Sequence, residues 1–236
     1  MDELLCKALN HFRGKINLLV VDDDLHILNS LERTFDSPAF NITTIDSYSE
    51  AIKITQSRNC SWHCWILDID LGENRTGIEI MNANTRFPFV IILSGLQSMR
   101  VAAEAVNCGA MAVFDKNPVF FRQLYTETCE IAALGYVLGG KQTQYLSLYR
   151  LLCKSFIKTP EEWACKACIS LRQLHRICEI HSIPTPRATL AQYYSIYTLL
   201  INGKLPSHDS QIEETLLGNN EYINDCLLYM LKNVSI

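Results

Sequence analysis

At 236 residues, 48% of them apolar, the chain is long enough for one or two domains with buried cores. No apolar run approaches the roughly 20 residues that span a bilayer, and the opening MDELLCKALNHFRG carries acids where a secretion signal would be basic. Membrane insertion and export are therefore not expected, the expected compartment is the cytoplasm, and the ten cysteines read as reduced thiols. The formal net charge of −4 is unevenly divided: residues 1–140 hold 11 Lys+Arg against 17 Asp+Glu, and residues 141–236 hold 10 against 8. The mild basic excess of the second part permits nucleic-acid binding without demanding it.

In chain order, Leu4, Leu5, Ala8, Leu9 and Phe12 predict a short amphipathic helix ending at Gly14, a helical extension over residues 1–15 that packs on a neighbouring surface. Four apolar runs follow, each closing on polar residues. LLVVDDD (18–24) contains Asp22 and Asp23, and CWILDID (64–70) contains Asp68 and Asp70. FVIILSG (89–95) ends on Ser94, and AMAVFDK (110–116) ends on Lys116. Each run reads as a short buried strand, with helical patterns between them. Ligands of an open parallel sheet bind beyond the carboxyl ends of its strands, so these residues are expected to converge there.

Any one of these aspartates could simply close a strand or start a helix. Polar residues at four strand ends in order argue together for a site. Three carboxylates at one sheet edge repel each other unless a cation intervenes, and hard oxygen ligands suit Mg²⁺, which takes one or two carboxylates plus a phosphoryl oxygen. A lysine and a hydroxyl opposite are what a bound phosphoryl group requires.

On these motifs, residues 16–138 resemble a response-regulator receiver domain, the aspartate-phosphorylated half of bacterial two-component signalling. The resemblance implies a doubly wound α/β fold, a five-stranded parallel flavodoxin-like sheet. By position it makes Asp68 the phosphoacceptor, with Ser94 and Lys116 binding phosphoryl oxygens. Asp23, Asp68 and the backbone carbonyl of Asp70 would hold Mg²⁺, with Asp22 acting through water. Asp70 is the rival nucleophile, but Asp68 directly follows Trp65-Ile66-Leu67 and so falls at the sheet edge. The implied donor is a phosphohistidine on a sensor histidine kinase. The domain would catalyse its own modification and slow dephosphorylation without being a conventional enzyme. The chain departs from the family where Asn117 separates Lys116 from Pro118, where Val113 holds the aromatic switch position with Phe114 one residue later, and where Gly72 replaces a usual proline in a loop one residue longer.

Beyond a hinge predicted at Gly135–Gly140, strand signals vanish, and residues 139–236 read as a smaller all-helical output domain. Tyr145, Leu148, Leu152 and Phe156 recur at helical spacing. Thr159-Pro160-Glu161-Glu162 has the order of N-cap, N1 proline and capping-box glutamate, and Ser170 to Gln173 repeats the signature. Two helices joined by so short a turn, over about 160–182, form a helix–turn–helix candidate. On the second, Leu171, Leu174, Ile177 and Cys178 make one face; Arg172, His175, Arg176 and Glu179 make the other. With Gln173 nearby, that face suits the DNA major groove, where Arg reads guanine and Gln reads adenine, though a solvated charged face has the same pattern.

The stretch WACKACISLRQLHRICEIHSIPTPRATL (163–190) is similar to the first helix–turn–helix of AraC-type DNA-binding domains, through Ala164, Ala167, Ser170, Arg172, Leu174, His175, Arg176 and Pro186–Arg187. It differs in placing Cys168 at the usual turn glycine, Cys178 at a usual core phenylalanine and Ile183 at another glycine. The resemblance implies promoter DNA as a partner, with dimerisation on phosphorylation. A long helix from Thr185–Pro186 is predicted to bury Leu190, Tyr193, Ile196, Tyr197 and Leu200, followed by helices from Ser210 to Gly218 and over about 221–232. That tail carries Lys204 and Lys232 but no arginine, and reads as a degenerate second unit or a dimer surface.

Two alternatives stand beside this reading. Cys165, Cys168, Cys178 and His181 have legal zinc spacing, but the helix–turn–helix sends Cys165 outward and Cys178 inward, apart from each other. A helical protein-interaction or adaptor domain would need no DNA at all.

Overall fold

The structure, a computed structural model, describes residues 7–8, 10–57, 61–84, 88–95, 99–140, 145–202 and 220–233. The helix expected from Ser210 to Gly218, and Leu4, Leu5 and Leu9 of the N-terminal helix, lie outside them. Two compact units result: residues 14–142, and a second that groups the described residues before Gly14 with those after residue 142.

The first unit is a five-stranded parallel sheet in the order β2-β1-β3-β4-β5. Its strands are β1 (Ile16–Val21), β2 (Phe40–Ile45), β3 (Cys64–Asp68), β4 (Phe89–Ser94) and β5 (Ala112–Asp115). β3 and β4 are buried along their whole length, which is why their sequences are continuous apolar runs. β2 is an edge strand whose central residues are half-exposed, so FNITTI carries no strong apolar run to announce it.

Helices cover both faces. α2 (Tyr48–Thr55), α3 (Gly77–Asn82) and α4 (Met99–Asn107) lie on the face carrying Leu19, Val21, Trp65, Leu67, Val90 and Ile92. α1 (Leu25–Thr34) packs with α5 (Phe121–Val137), and α5 lies on β1, β3 and β4; the alternate strand residues Leu18, Val20, Ile66 and Ile91 are equally buried. A 3₁₀ turn, Pro118–Phe120, leads into α5.

At the amino end of the sheet, His63 and Asn17 extend the β1–β3 ladder. The Asn17 amide donates to His63 Nδ1 at 2.9 Å, and the His63 amide donates to the Asn17 carbonyl at 3.0 Å. His63 is buried there, and burial lowers its pKa to about 4. Any side chain at Gly135 would collide with the His63 carbonyl oxygen, so glycine is what lets α5 sit this close to the sheet.

The second unit contains α6 (Leu146–Lys154), α7 (Pro160–Lys166), α8 (Leu171–Ile180), α9 (Pro186–Asn202) and α10 (Asn220–Asn233). α9 is its spine: Leu190, Tyr193, Ile196, Tyr197 and Leu200 are buried along it. Trp163 of α7 is fully buried, donates Nε1–H to the Leu148 carbonyl at 3.0 Å and meets Tyr149 edge-on. The Tyr194 hydroxyl accepts from the Ile157 amide at 2.7 Å, pinning the α6–α7 connection to α9.

Two local expectations are corrected. Helix α6 ends at Lys154, so Phe156 packs from the following loop, against Tyr194 and Tyr222. The capping box of α7 is shifted: Thr159 accepts from the Glu162 amide, but the Glu162 carboxylate accepts from the Lys158 amide at 2.9 Å, one residue earlier. The box of α8 closes as expected, Ser170 and Gln173 each bonding the other's amide. No helix among the described residues is long and apolar enough to cross a membrane.

Candidate functional site

Strand register assembles the site. Val21 of β1 stands opposite Leu67 of β3, so Asp22 and Asp68 occupy the next rung, side by side where the strand order reverses. Leu93 stands opposite Asp68, which places Ser94 one step further along β4. Ser94 is in turn opposite Asp115, and its carbonyl accepts from the Lys116 amide at 3.1 Å. Four residues spread over 95 positions of sequence thus meet at one sheet edge.

Lys116 is the centre of charge. Its Nζ lies 2.6 Å from Asp68 Oδ2 and 2.9 Å from Asp22 Oδ2. Both contacts are ion pairs, and Nζ also donates a hydrogen bond to Asp22 Oδ1 at 3.0 Å. Both carboxylates are buried, and burial is the largest influence on each. It raises Asp22, and it pushes Asp68 up to about 6, helped by the charge of Asp22 and opposed by Lys116. Burial pulls Lys116 down, but its contacts with Asp68 and Asp22 outweigh that and raise it.

Asp23, which is exposed, completes an acidic cluster: carboxylate oxygens of Asp22, Asp23 and Asp68 lie within 4.8 Å of one another. One lysine cannot balance three carboxylates, and Asp68 Oδ1 is buried without a hydrogen-bond partner. The pocket therefore fits a divalent cation, which would supply the missing charge and a partner for that oxygen. Asp70 is exposed in the loop after β3, where its Oδ1 accepts from the Gly72 amide at 3.1 Å.

Two features of this edge escaped the sequence. Gly77 opens α3 directly against β3: any Cβ there would collide with the Asp68 carbonyl oxygen. Its signal was present as a glycine just after the Thr76 cap of a capping box closed by Glu79. Between them, Gly72, Glu73 and Asn74 are all left-handed, with φ of 70°, 51° and 59°. The Leu71 amide donates to the Arg75 carbonyl across this excursion, which accommodates the extra residue of the loop. At Asn117 the backbone is extended and its side chain caps the 3₁₀ turn, accepting from the Val119 amide. Val113 is half-buried against the core and Phe114 is buried on β5.

In the helical unit, Arg172, His175 and Arg176 are exposed on α8, opposite buried Leu174, Ile177 and Cys178. Gln173 is also exposed, but its Oε1 accepts from the Ser170 amide at 2.8 Å and from the Ser170 hydroxyl at 2.9 Å. The helix cap engages that oxygen. Cys168 carries the left-handed conformation (φ 55°) that turns α7 into α8, as a glycine would. After α8 the corresponding residue is Ser182 (φ 54°), one before Ile183. Cys165 and Cys168 are exposed whereas Cys178 is buried, so these thiols point to different environments.

Residues 18–126 match the family model of the response regulator receiver domain, a span that begins in β1 and ends in α5. The chain is similar to a CheY-like receiver domain protein from Methanospirillum hungatei, at 22% identity over 51% of this chain and 96% of that one, TM-score 0.45. It is also similar to a response regulator from Burkholderia pseudomallei, solved with a phosphorylated aspartic acid, calcium ion and citrate, at 18% identity over 68% and 97%, TM-score 0.41. A receiver domain protein from Clostridium thermocellum matches at 24% identity over 46% and 87%, TM-score 0.41. No curated protein matches the chain.

Proposed function

We propose that this protein, whose sheet unit is a response regulator receiver domain, is phosphorylated on Asp68 by a sensor histidine kinase and controls transcription through its helical unit. The observation that carries the first part is the Lys116 ammonium set between Asp22 and Asp68 beside a buried Asp68 Oδ1 that has no partner.

In this reading Asp68 Oδ1, the oxygen not paired with Lys116, attacks. It displaces the donor's imidazole nitrogen in line: the P–N bond breaks, the O–P bond forms, and the histidine keeps the electron pair. Lys116 holds Oδ2 and stands ready to pair with a phosphoryl oxygen, and the Ser94 hydroxyl, buried at the end of β4, is placed to bond another. Asp22, Asp23, Asp68 and the Asp70 carbonyl would hold Mg²⁺, which supplies charge neutralisation for the transferring group. The protein acts on itself alone, as a phosphoacceptor that slowly dephosphorylates. Turning a 1:99 equilibrium of output states into 99:1 takes about 5.5 kcal/mol of differential stabilisation, a scale within reach of a dianion newly bonded to a lysine and a hydroxyl.

For the helical unit, the support is α7 and α8 joined through a left-handed turn, with Arg172, His175 and Arg176 on the outer face. We assign promoter DNA to that face, with arginines rather than Gln173 as the direct readers.

Acetyl phosphate with Mg²⁺ adds one phosphoryl group to the full-length protein and none to Asp68→Asn; equal labelling of both overturns the phosphoacceptor. For DNA, binding to genomic fragments falls steeply with salt and weakens in Arg172→Ala and Arg176→Ala. Binding indifferent to salt and to both changes makes the helical unit a protein-interaction module instead.

A further inference from the structure

The cysteines of this chain sort by exposure. Among the described residues, Cys64, Cys129, Cys178 and Cys226 are buried, and Cys108 and Cys153 are intermediate. Cys165 and Cys168 alone in that set are exposed. Burial also pushes the Cys178 and Cys226 thiols up to about 11, away from the reactive thiolate.

The exposed two are held together by the backbone. The Cys168 amide donates to the Cys165 carbonyl at 3.0 Å, and the Ile169 amide donates to the Ala164 carbonyl at 3.0 Å, the paired bonds that close a helix on a left-handed residue. A four-residue turn closed in this way keeps its end Cα atoms within about 7 Å, and a disulfide asks for roughly 4.4–6.8 Å. Cys168 sits at φ 55° in the link between α7 and α8, two residues before the Ser170 cap.

We propose that Cys165 and Cys168 form a thiol–disulfide exchange site, closed to an intramolecular disulfide by a low-molecular-weight disulfide such as oxidised glutathione. One thiol loses its proton to solvent and its sulfur attacks the reagent, releasing one thiol and leaving a mixed disulfide. The second cysteine, likewise deprotonated, attacks that bond and expels the other thiol. Two protein thiols are oxidised and one small disulfide is reduced to two thiols. The bond joins the last turn of α7 to the residue that reverses the chain into α8. This assignment stands whether or not α8 meets DNA.

The full-length protein, incubated with oxidised glutathione and then alkylated, is mapped by peptide mass spectrometry. The expected product is one peptide carrying Cys165 and Cys168 without alkyl groups and lighter by two hydrogens, restored by dithiothreitol. Cys165→Ser and Cys168→Ser each stop at a mixed disulfide on the remaining cysteine of the pair. Wild type that stops at a mixed disulfide, that leaves both cysteines alkylated, or that pairs either one with another cysteine overturns the proposal. Far-UV circular dichroism matching wild type shows that the variants are folded; for Cys168, Cys168→Asn tolerates the left-handed backbone and serves as the second variant.

Discussion

The two units of this protein are organised by opposite strategies. The receiver gathers residues distant in sequence onto one edge and keeps them charged and buried; Lys116 reaches Asp22 across 94 positions. The helical unit uses local punctuation and aromatic packing: Ser170 with Gln173, Thr159 with Glu162, and Trp163 beside Tyr149. In the first, electrostatics is set against stability, whereas in the second packing and caps all act in one direction. Changes to aromatics and caps should therefore act within the helical unit, and changes of pH within the receiver.

The largest expected effect is on packing. Trp163→Ala removes a fully buried side chain and its hydrogen bond to the Leu148 carbonyl, costing about 3–5 kcal/mol. Hydrogen exchange should show α7 and α8 losing protection while β1, β3 and β4 keep theirs; equal loss in the strands would break the division between the units.

Next comes pH. His63, lowered to about 4, contributes stability that is full above about pH 6.5 and is lost as pH falls towards 4. Asp68, raised to about 6, works the other way: its contribution is full when protonated and is lost as pH rises from about 4 to 6. Asp22, also raised, has the same sign as Asp68. In wild type without divalent ions these slopes oppose each other and the pH dependence is shallow. Asp68→Asn removes the larger opposing contribution, so stability of the sheet unit measured by denaturant should then climb between pH 4 and 6.5, by at most about 3 kcal/mol because Asp22 still opposes it. A slope unchanged by the substitution would disprove the balance.

The smallest effect is at a cap. Ser170→Ala removes the hydroxyl that accepts from the Gln173 amide and should cost about 1 kcal/mol, read as a lower midpoint for the helical unit alone.

The same contrast explains how much could be read from the sequence. Asp22, Asp68, Ser94 and Lys116 were visible because each ends an apolar run, and strand ends fix position without knowledge of register. β2 was not located, since the middle of FNITTI is polar and half-exposed and carries no continuous apolar run. The approach of Gly77 to Asp68 left only the Thr76 capping box as a local trace, and the ladder bond from the His63 amide to the Asn17 carbonyl depends on which strands lie side by side, which no local pattern encodes. In the helical unit the spacing found the caps, but it could not say that Glu162 would reach Lys158, or that Gln173 would turn its oxygen back to Ser170 rather than outward.

The described residues before Gly14 group with the C-terminal helices, and Ala8 and Phe12 among them are fully buried. Segments that flank the sheet unit in sequence therefore share one compact unit. The sheet unit is continuous in sequence, whereas the helical unit must close a loop of more than a hundred residues, a step whose entropy slows folding. A truncation that begins after the sheet unit would discard material the helical unit needs for its own interior.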